Sequence, residues 1–83
     1  MEKSIYTREY SVVLRLLKEA RERAGITQVA LAEKLGQTQS FVSKLERGDR
    51  RLDIVQIRTL CGIYGVTLPE FVERLEIALR QKK

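Results

Sequence analysis

Glycines divide most of this sequence into short segments, and within each segment the apolar residues recur at intervals of three and four. Gly25, Gly36, Gly48 and Gly65 each follow such a segment, and the only proline is Pro69. This apolar spacing is typical of amphipathic helices, and a glycine just past the last periodic residue is typical of a helix end. No segment shows the sustained alternation of a strand. The sequence therefore predicts an all-α protein whose short helices are joined by short turns.

Residues that cap helix N-termini precede four of the segments. A Thr or Asp at such a position accepts a hydrogen bond from a free N–H of the first turn, and a Gln or Glu three residues later completes a capping box. The predicted caps are Thr27, Thr38, the Asp53–Gln56 pair and the Thr67–Glu70 pair. We expect five helices over about residues 7–24, 28–35, 39–47, 54–64 and 68–81. They are expected to form one compact domain over residues 1–83.

One face of each predicted helix carries apolar residues and is expected to contribute to the core. These residues are Tyr10, Val13, Leu14, Leu17, Ala20 and Ala24 in the first helix; Leu31, Ala32 and Leu35 in the second; Phe41, Val42 and Leu45 in the third; Ile54, Ile57, Leu60, Cys61 and Tyr64 in the fourth; and Leu68, Phe71, Val72, Leu75, Ala78 and Leu79 in the fifth. Arg21 lies at the edge of the first of these faces. Val55, Ile63 and Ile77 lie off them.

The composition excludes several classes of site. The sequence has no His, so a His-based catalytic triad and a His metal site are excluded, and we expect neither an enzyme nor a bound cofactor or metal. The single cysteine, Cys61, excludes an internal disulfide. The longest apolar run, Val29 to Ala32, is too short for a membrane span or a signal peptide. A cytoplasmic protein with no membrane association is expected.

The charge balance favours a polyanionic partner. Sixteen Lys and Arg stand against 11 Asp and Glu, which gives a net charge of +5. Such a balance suits nucleic acid or an anionic membrane surface, although it is also compatible with a merely soluble basic protein. The excess is spread along the sequence, so any basic patch must be assembled by the fold.

The predicted third helix has an outward face suited to duplex DNA. Its inward side carries Phe41, Val42 and Leu45. Its outward side carries no carboxylate and consists of Gln39, Ser40, Ser43, Lys44 and Arg47. Gln pairs with adenine edges, Lys with guanine edges and Ser with either, and an α-helix fits the major groove. The alternative is an exposed polar face that only contacts water.

The second and third predicted helices together resemble a known motif. Their shared features are Gln28 at the start, the small Ala32, Gly36 in the turn, apolar Leu31, Leu35, Val42 and Leu45, and the exit Glu46-Arg47-Gly48. This pattern resembles the helix-turn-helix of the Cro/lambda-repressor-like family, also called the XRE family, over about residues 9–76. The resemblance implies a compact five-helix lambda-repressor-like domain with the helix-turn-helix at helices 2 and 3.

The resemblance also implies a role for each matched residue. The implied base contacts are Gln39, Ser40, Lys44 and, more weakly, Ser43. The implied phosphate contacts are Gln28, Thr38, Arg47, Arg50 and Arg51. Gln28 would also brace the third helix, and Thr38 would also cap it. Arg21 and Glu46 match a buried ion pair of the family with a structural role.

The function implied by the resemblance is a sequence-specific regulator of transcription. It would be a repressor that binds a palindromic operator in double-stranded DNA as a homodimer, through the major groove. Because no further domain is expected, the dimer contacts would come from the fourth and fifth helices, at Val55, Ile63 and Ile77. The alternatives are an antitoxin that also binds a protein partner, a restriction–modification controller, and a protein-interaction module that has lost DNA binding.

Overall fold

The computed structural model describes residues 7–81, and this range contains five α-helices and no strand. The helices are α1 Arg8–Arg23, α2 Gln28–Leu35, α3 Gln39–Arg47, α4 Ile54–Tyr64 and α5 Leu68–Gln81. The all-α, five-helix fold expected from the sequence is confirmed. The predicted domain also included residues 1–6 and the basic end at Lys82 and Lys83, which lie outside the described residues. Within residues 7–81, no helix is long and apolar enough to span a bilayer.

The first helix is one residue shorter at each end than predicted. Thr7 is its N-cap, with extended backbone, and its hydroxyl accepts a hydrogen bond from the Tyr10 backbone N–H. Ala24 is its C-cap and precedes Gly25, whose φ is +75°. The prediction that Ala24 faces the core is wrong: the residue is exposed because it lies past the last helical turn.

The capping residues read from the sequence start the later helices. The Asp53 carboxylate accepts from the Gln56 N–H at 2.8 Å, and the Asp53 N–H donates to the Gln56 side chain at 2.8 Å. Thr67 and Glu70 make the same reciprocal pair before α5. Each box satisfies two N–H groups that the helix itself leaves without a partner.

The core is arranged around α1, which packs against α3, α4 and α5, while α2 packs against α3. Buried apolar side chains from all five helices meet there. The core residues are Leu17, Ala20, Leu31, Ala32, Val42, Leu45, Leu52, Leu60, Cys61, Tyr64 and Phe71. Because α2 is only eight residues long, it depends on this packing for its stability.

Three apolar residues lie differently from the prediction. Ile54 is 59% exposed because the buried residues of α4 all lie in its second half. Val72 is 41% exposed, since the buried face of α5 is centred on Phe71, the preceding residue. Ile63 was expected off the core face but is half-buried and packs against the core. It follows Leu60 by three residues and therefore shares part of its face.

The exit from α3 is held tightly against α1. Gly48 has a φ of +88°, and a Cβ atom there would lie 2.9 Å from Cδ1 of Leu14. The left-handed backbone favours glycine, and a larger residue would also displace the terminal methyl of Leu14. Gly48 is the C-cap of α3, and the connector to α4 follows it.

Candidate nucleic-acid interface

Helices α2 and α3 are joined by a tight turn that sets their relative orientation. Gly36 ends α2 in the left-handed conformation, with a φ of +68°, and the Gln37 N–H donates back to the Ala32 carbonyl at 2.9 Å. Thr38 then caps α3 by accepting from the Phe41 N–H at 3.1 Å. Ala32 is almost fully buried. Its small side chain permits close packing of the two helices.

The outer face of α3 is polar and basic. Gln39, Ser40, Lys44 and Arg47 are exposed, and Ser43 is half-buried. Val42 and Leu45 on the opposite side are buried in the core. A helix held in this way presents its outer side chains from a fixed backbone. We call Gln39, Ser40, Ser43 and Lys44 the α3 face.

A series of hydrogen bonds connects the α3 face to the protein interior. The Gln39 amide donates to Oε1 of Gln28 at 2.9 Å, and the Gln28 amide donates to Oε1 of Glu46 at 2.9 Å. Gln28 is the first residue of α2, so its side chain joins the start of α2 to both ends of α3. The exposed Gln39 side chain is thereby oriented before any ligand binds.

The inner end of this series is a buried ion pair. Nε of Arg21 lies 2.6 Å from Oε2 of Glu46, and Nη2 donates to Oε1 at 3.2 Å. Nη1 of Arg21 donates to the Ile26 carbonyl at 2.7 Å, so the pair also fixes the loop between α1 and α2. The hydrogen bond to Glu46 raises the pKa of Arg21. Burial, together with the Glu46 charge, raises the pKa of the neighbouring Tyr64.

The connector between α3 and α4 carries two arginines stacked on aromatic rings. The guanidinium carbon of Arg50 lies 5.0 Å from the centre of the Phe41 ring, and that of Arg51 lies 4.8 Å from the centre of the Tyr10 ring. The Tyr10 hydroxyl accepts from the Leu52 N–H at 2.9 Å and donates to the Arg50 carbonyl at 3.4 Å. Tyr10 and Phe41 therefore hold the connector and its cations in place.

Arg47 and Asp49 form an exposed ion pair at the end of α3, with 2.7 Å between Nη2 and Oδ2. An exposed pair of this kind contributes little to stability, about 0–1 kcal/mol. Arg47 can therefore exchange this partner for a phosphate at little cost. The pair reduces the local positive charge, to which Lys44 also contributes on α3.

Comparison with known families matches residues 17–71 to a helix-turn-helix family. This match spans more than half of the chain and includes α2, the turn and α3. The chain belongs to the XRE, or Cro/lambda-repressor-like, family. It is accordingly a DNA-binding regulator of the XRE type, and its domain is a regulatory one. Comparison with curated proteins and with solved structures finds no significant match.

In this XRE-family domain, the residues singled out in the sequence fall into two groups. The α3 face, Gln28 and the connector arginines lie on or beside the helix-turn-helix. Val55 and Ile77 lie on other exposed surfaces and are 67% and 42% exposed. The sequence reasoning missed Tyr10 and Phe41 as supports of the connector, because Tyr10 reaches residues 40 and 42 positions away. Within residues 7–81, no group of three or more possible metal ligands is found.

Proposed function

We propose that the protein is a transcriptional repressor that binds an inverted repeat in duplex DNA as a homodimer. The observation that carries this proposal is the hydrogen-bonded series from the buried Arg21–Glu46 pair through Gln28 to Gln39. Such a series orients a surface amide in advance, and an oriented amide can recognise a base edge with little loss of side-chain entropy. A merely solvated polar residue needs no such support.

The α3 face supplies the proposed base contacts. Gln39 is assigned to an adenine edge, Lys44 to a guanine edge, and Ser40 to either, with Ser43 contributing from its half-buried position. No carboxylate lies on this face, so α3 can approach the major groove without repelling the phosphates. These contacts would determine which sequence is bound.

The flanking residues supply the proposed phosphate contacts. Gln28 and Thr38 lie at the starts of α2 and α3, where free N–H groups and the helix dipole favour anions. Arg47, Arg50 and Arg51 lie at the end of α3 and in the connector. These contacts would set affinity and orientation without choosing a sequence.

Repression would follow from competition for a promoter and involves no chemical step. A single helix-turn-helix contacts only a few base pairs, so two copies at half-sites about 34 Å apart would extend the site. The exposed side chains of Val55 and Ile77 support a contact between copies, to which the half-buried Ile63 would also contribute. The protein would act in the cytoplasm, on the nucleoid.

The test is selection of duplexes from a random pool at about 150 mM salt, where nonspecific phosphate binding is weakened. We expect enrichment of a short inverted repeat. A variant with Ser40→Ala and Lys44→Ala keeps the phosphate contacts and should enrich no sequence or a more degenerate one. If the folded wild-type protein enriches nothing, the proposal is wrong and a protein-interaction module is favoured.

A further inference from the structure

Asp49 places an exposed carboxylate just past the end of α3, among the residues proposed to contact phosphates. Residues 36–51 contain two acidic residues, Glu46 and Asp49. The carboxylate of Glu46 is directed inward and accepts two hydrogen bonds from Arg21. Asp49 is exposed, and its Oδ2 atom lies 2.7 Å from Nη2 of Arg47. Because a DNA backbone repels a carboxylate at this place, the presence of Asp49 needs an explanation.

The stability of α3 does not explain Asp49. The C-terminal end of a helix carries partial negative charge and favours cations, and Lys44 and Arg47 in the last turn of α3 agree with this rule. An acidic residue just past the same end is unfavourable for the helix. Its ion pair with Arg47 is exposed and therefore contributes little to stability. A role in binding accounts for Asp49 better than a role in folding.

The backbone holds Asp49 against the last turn of α3. Gly48 ends the helix with a φ of +88°, and its N–H donates to the Leu45 carbonyl at 3.2 Å. The Asp49 N–H donates to the Lys44 carbonyl at 3.0 Å. These two bonds form the pattern that closes a helix after a left-handed residue. The Asp49 carboxylate is thus held at a defined place, two residues after the cation that it binds.

Arg47 lies on the side of α3 that the proposed function turns toward DNA. At about 100° per residue, it lies about 20° from Ser40 and about 40° from Ser43 around the helix. Both serines belong to the α3 face. The guanidinium that Asp49 holds is therefore at the C-terminal end of the surface that is proposed to enter the major groove.

The ion pair is compatible with a phosphate contact by the same guanidinium. Arginine has five N–H donors, and the bond to Asp49 is made by Nη2. A phosphate can bind another edge of the guanidinium while Asp49 stays in place. In that arrangement Asp49 fixes the direction of a long side chain, which reduces the conformational entropy that the side chain loses on binding.

We propose that Asp49 is a positioning residue that increases the preference of this domain for its specific site over other DNA. When α3 is seated at its site, the nearest phosphate has one position relative to Arg47, which an oriented guanidinium can meet. On other sequences, the domain slides over phosphates in many arrangements. Arg47 can follow them only by leaving Asp49 or by bringing this carboxylate toward the phosphates, which repel it. This inference rests on the proposed function, to which it adds a residue that weakens nonspecific binding.

The deciding variant is Asp49→Asn, which keeps the size of the side chain and removes its charge. Affinity for a duplex of scrambled sequence should rise about three- to fivefold, because Arg47 no longer has to leave a carboxylate. Affinity for the selected duplex should change by less than about twofold, since the lost repulsion is offset by the lost orientation of Arg47. The ratio of the two affinities, measured by fluorescence anisotropy, should therefore fall at least about twofold.

Glu19→Gln is the matched control for this variant. Glu19 lies 3.2 Å from Arg15, and the side chains of the Arg15–Glu19 pair are 55% and 41% exposed, close to the 59% and 43% of the Arg47–Asp49 pair. Arg15 lines a shallow groove with residues of α5, on another side of the domain. The control removes the same charge and the same kind of pair. It should leave both affinities unchanged, because exposed charges are screened beyond about 8 Å at about 150 mM salt.

Two further measurements separate the action of Asp49 on Arg47 from the effect of its charge alone. In Asp49→Asn, the slope of the logarithm of nonspecific affinity against the logarithm of salt concentration should steepen by up to about 0.9, since Arg47 can displace counterions fully. In an Arg47→Met background, no guanidinium remains for Asp49 to hold. There, Asp49→Asn should raise nonspecific affinity by less than about twofold.

The inference is overturned if Asp49→Asn changes the affinities for the selected and the scrambled duplex by the same factor. It is also overturned if Asp49→Asn acts no differently from Glu19→Gln, or if its effect is undiminished in the Arg47→Met background. The wild-type protein separates this inference from the proposed function. If the wild type prefers the selected duplex and Asp49→Asn keeps the full preference, this inference alone is contradicted. If the wild type binds every duplex equally, the proposed function is contradicted, and this inference with it.

Discussion

Helices α3 and α4 both expose one face, and the two faces differ in how their side chains are held. On α3, the exposed Gln39 is hydrogen-bonded through Gln28 to a buried ion pair. On α4, Val55 is exposed beside a shallow groove that is lined mainly by apolar side chains. The polar face has its geometry fixed in advance, whereas the apolar face offers shape and area.

This difference reflects what each kind of recognition requires. Hydrogen bonds to base edges are directional, so the side chains that make them benefit from being oriented beforehand. Apolar association is non-directional and depends on the area removed from water. The polar α3 face therefore suits recognition of base edges better than the apolar surface of α4 does.

The largest effect is expected from Arg21→Ala, which removes the support behind the α3 face. Glu46 would remain buried without its cation, so the free energy of unfolding should fall by about 3–5 kcal/mol, measured by urea denaturation. Arg15→Ala is the control, because Arg15 forms an exposed pair with Glu19 and should lose less than about 1 kcal/mol. Equal losses in the two variants would show that the buried pair has no special role.

Lys44→Ala tests whether the α3 face chooses the sequence. It should cost about 1–3 kcal/mol at the selected site and relax the preference at one base pair of each half-site, measured by binding to a set of single-base variants. Arg50→Ala should instead weaken all sequences alike and reduce the salt slope by about 1. If Lys44→Ala weakens binding equally at all sequences, the proposed base contact of Lys44 is contradicted.

Tyr10→Phe tests whether the Tyr10 hydroxyl holds the connector between α3 and α4 in place. The ring under Arg51 is kept, but the buried Leu52 N–H loses its acceptor. We expect a loss of about 1–2 kcal/mol in the free energy of unfolding. DNA affinity should fall for all sequences, because the Arg50 carbonyl also loses its donor. Unchanged stability would mean that the hydroxyl does not hold the connector.

The smallest effect is expected from Cys61, which is buried in the core. Burial raises the pKa of the Cys61 thiol. The pKa of the thiol is therefore higher in the folded than in the unfolded protein. The resulting contribution of Cys61 to the free energy of unfolding is fully present below about pH 8.5, and it is lost as the pH rises through the folded-state pKa. Between pH 8 and 10, wild-type stability should fall more steeply than that of Cys61→Ala, by at most about 1.4 kcal/mol per pH unit. Parallel pH profiles would contradict this assignment.

The sequence was sufficient to predict those features of the fold that depend only on neighbouring residues. Thr38 and Asp53 mark helix starts through hydrogen bonds that span only three residues, and the structure contains those bonds. Whether an apolar helical residue is covered depends on distant elements, so Ile54 and Val72 were wrongly placed in the core. A helical wheel gives the direction of a side chain but not what lies opposite to it.

The candidate site likewise contains some features that the sequence predicts locally and others that depend on distant residues. The polar character of the α3 face follows from the helical period alone. The contact between Arg21 and Glu46, 25 residues apart, was implied only by the family resemblance. The stacking of Arg50 on Phe41 depends on the path of the connector, which no local pattern specifies. Gly62 could be noted in the sequence, but only the structure shows that its surroundings are open.

The most direct test of the assignment of α3 to DNA is amide NMR on the free protein as a selected duplex is added at about 150 mM salt. We predict that the largest shift changes fall on Gln28, on residues 39–44 and on Arg50, while Val55 and Gly62, which lie outside the α3 face, change little. Changes centred on Val55 and Gly62, with the α3 face unaffected, would contradict the assignment of α3 to DNA.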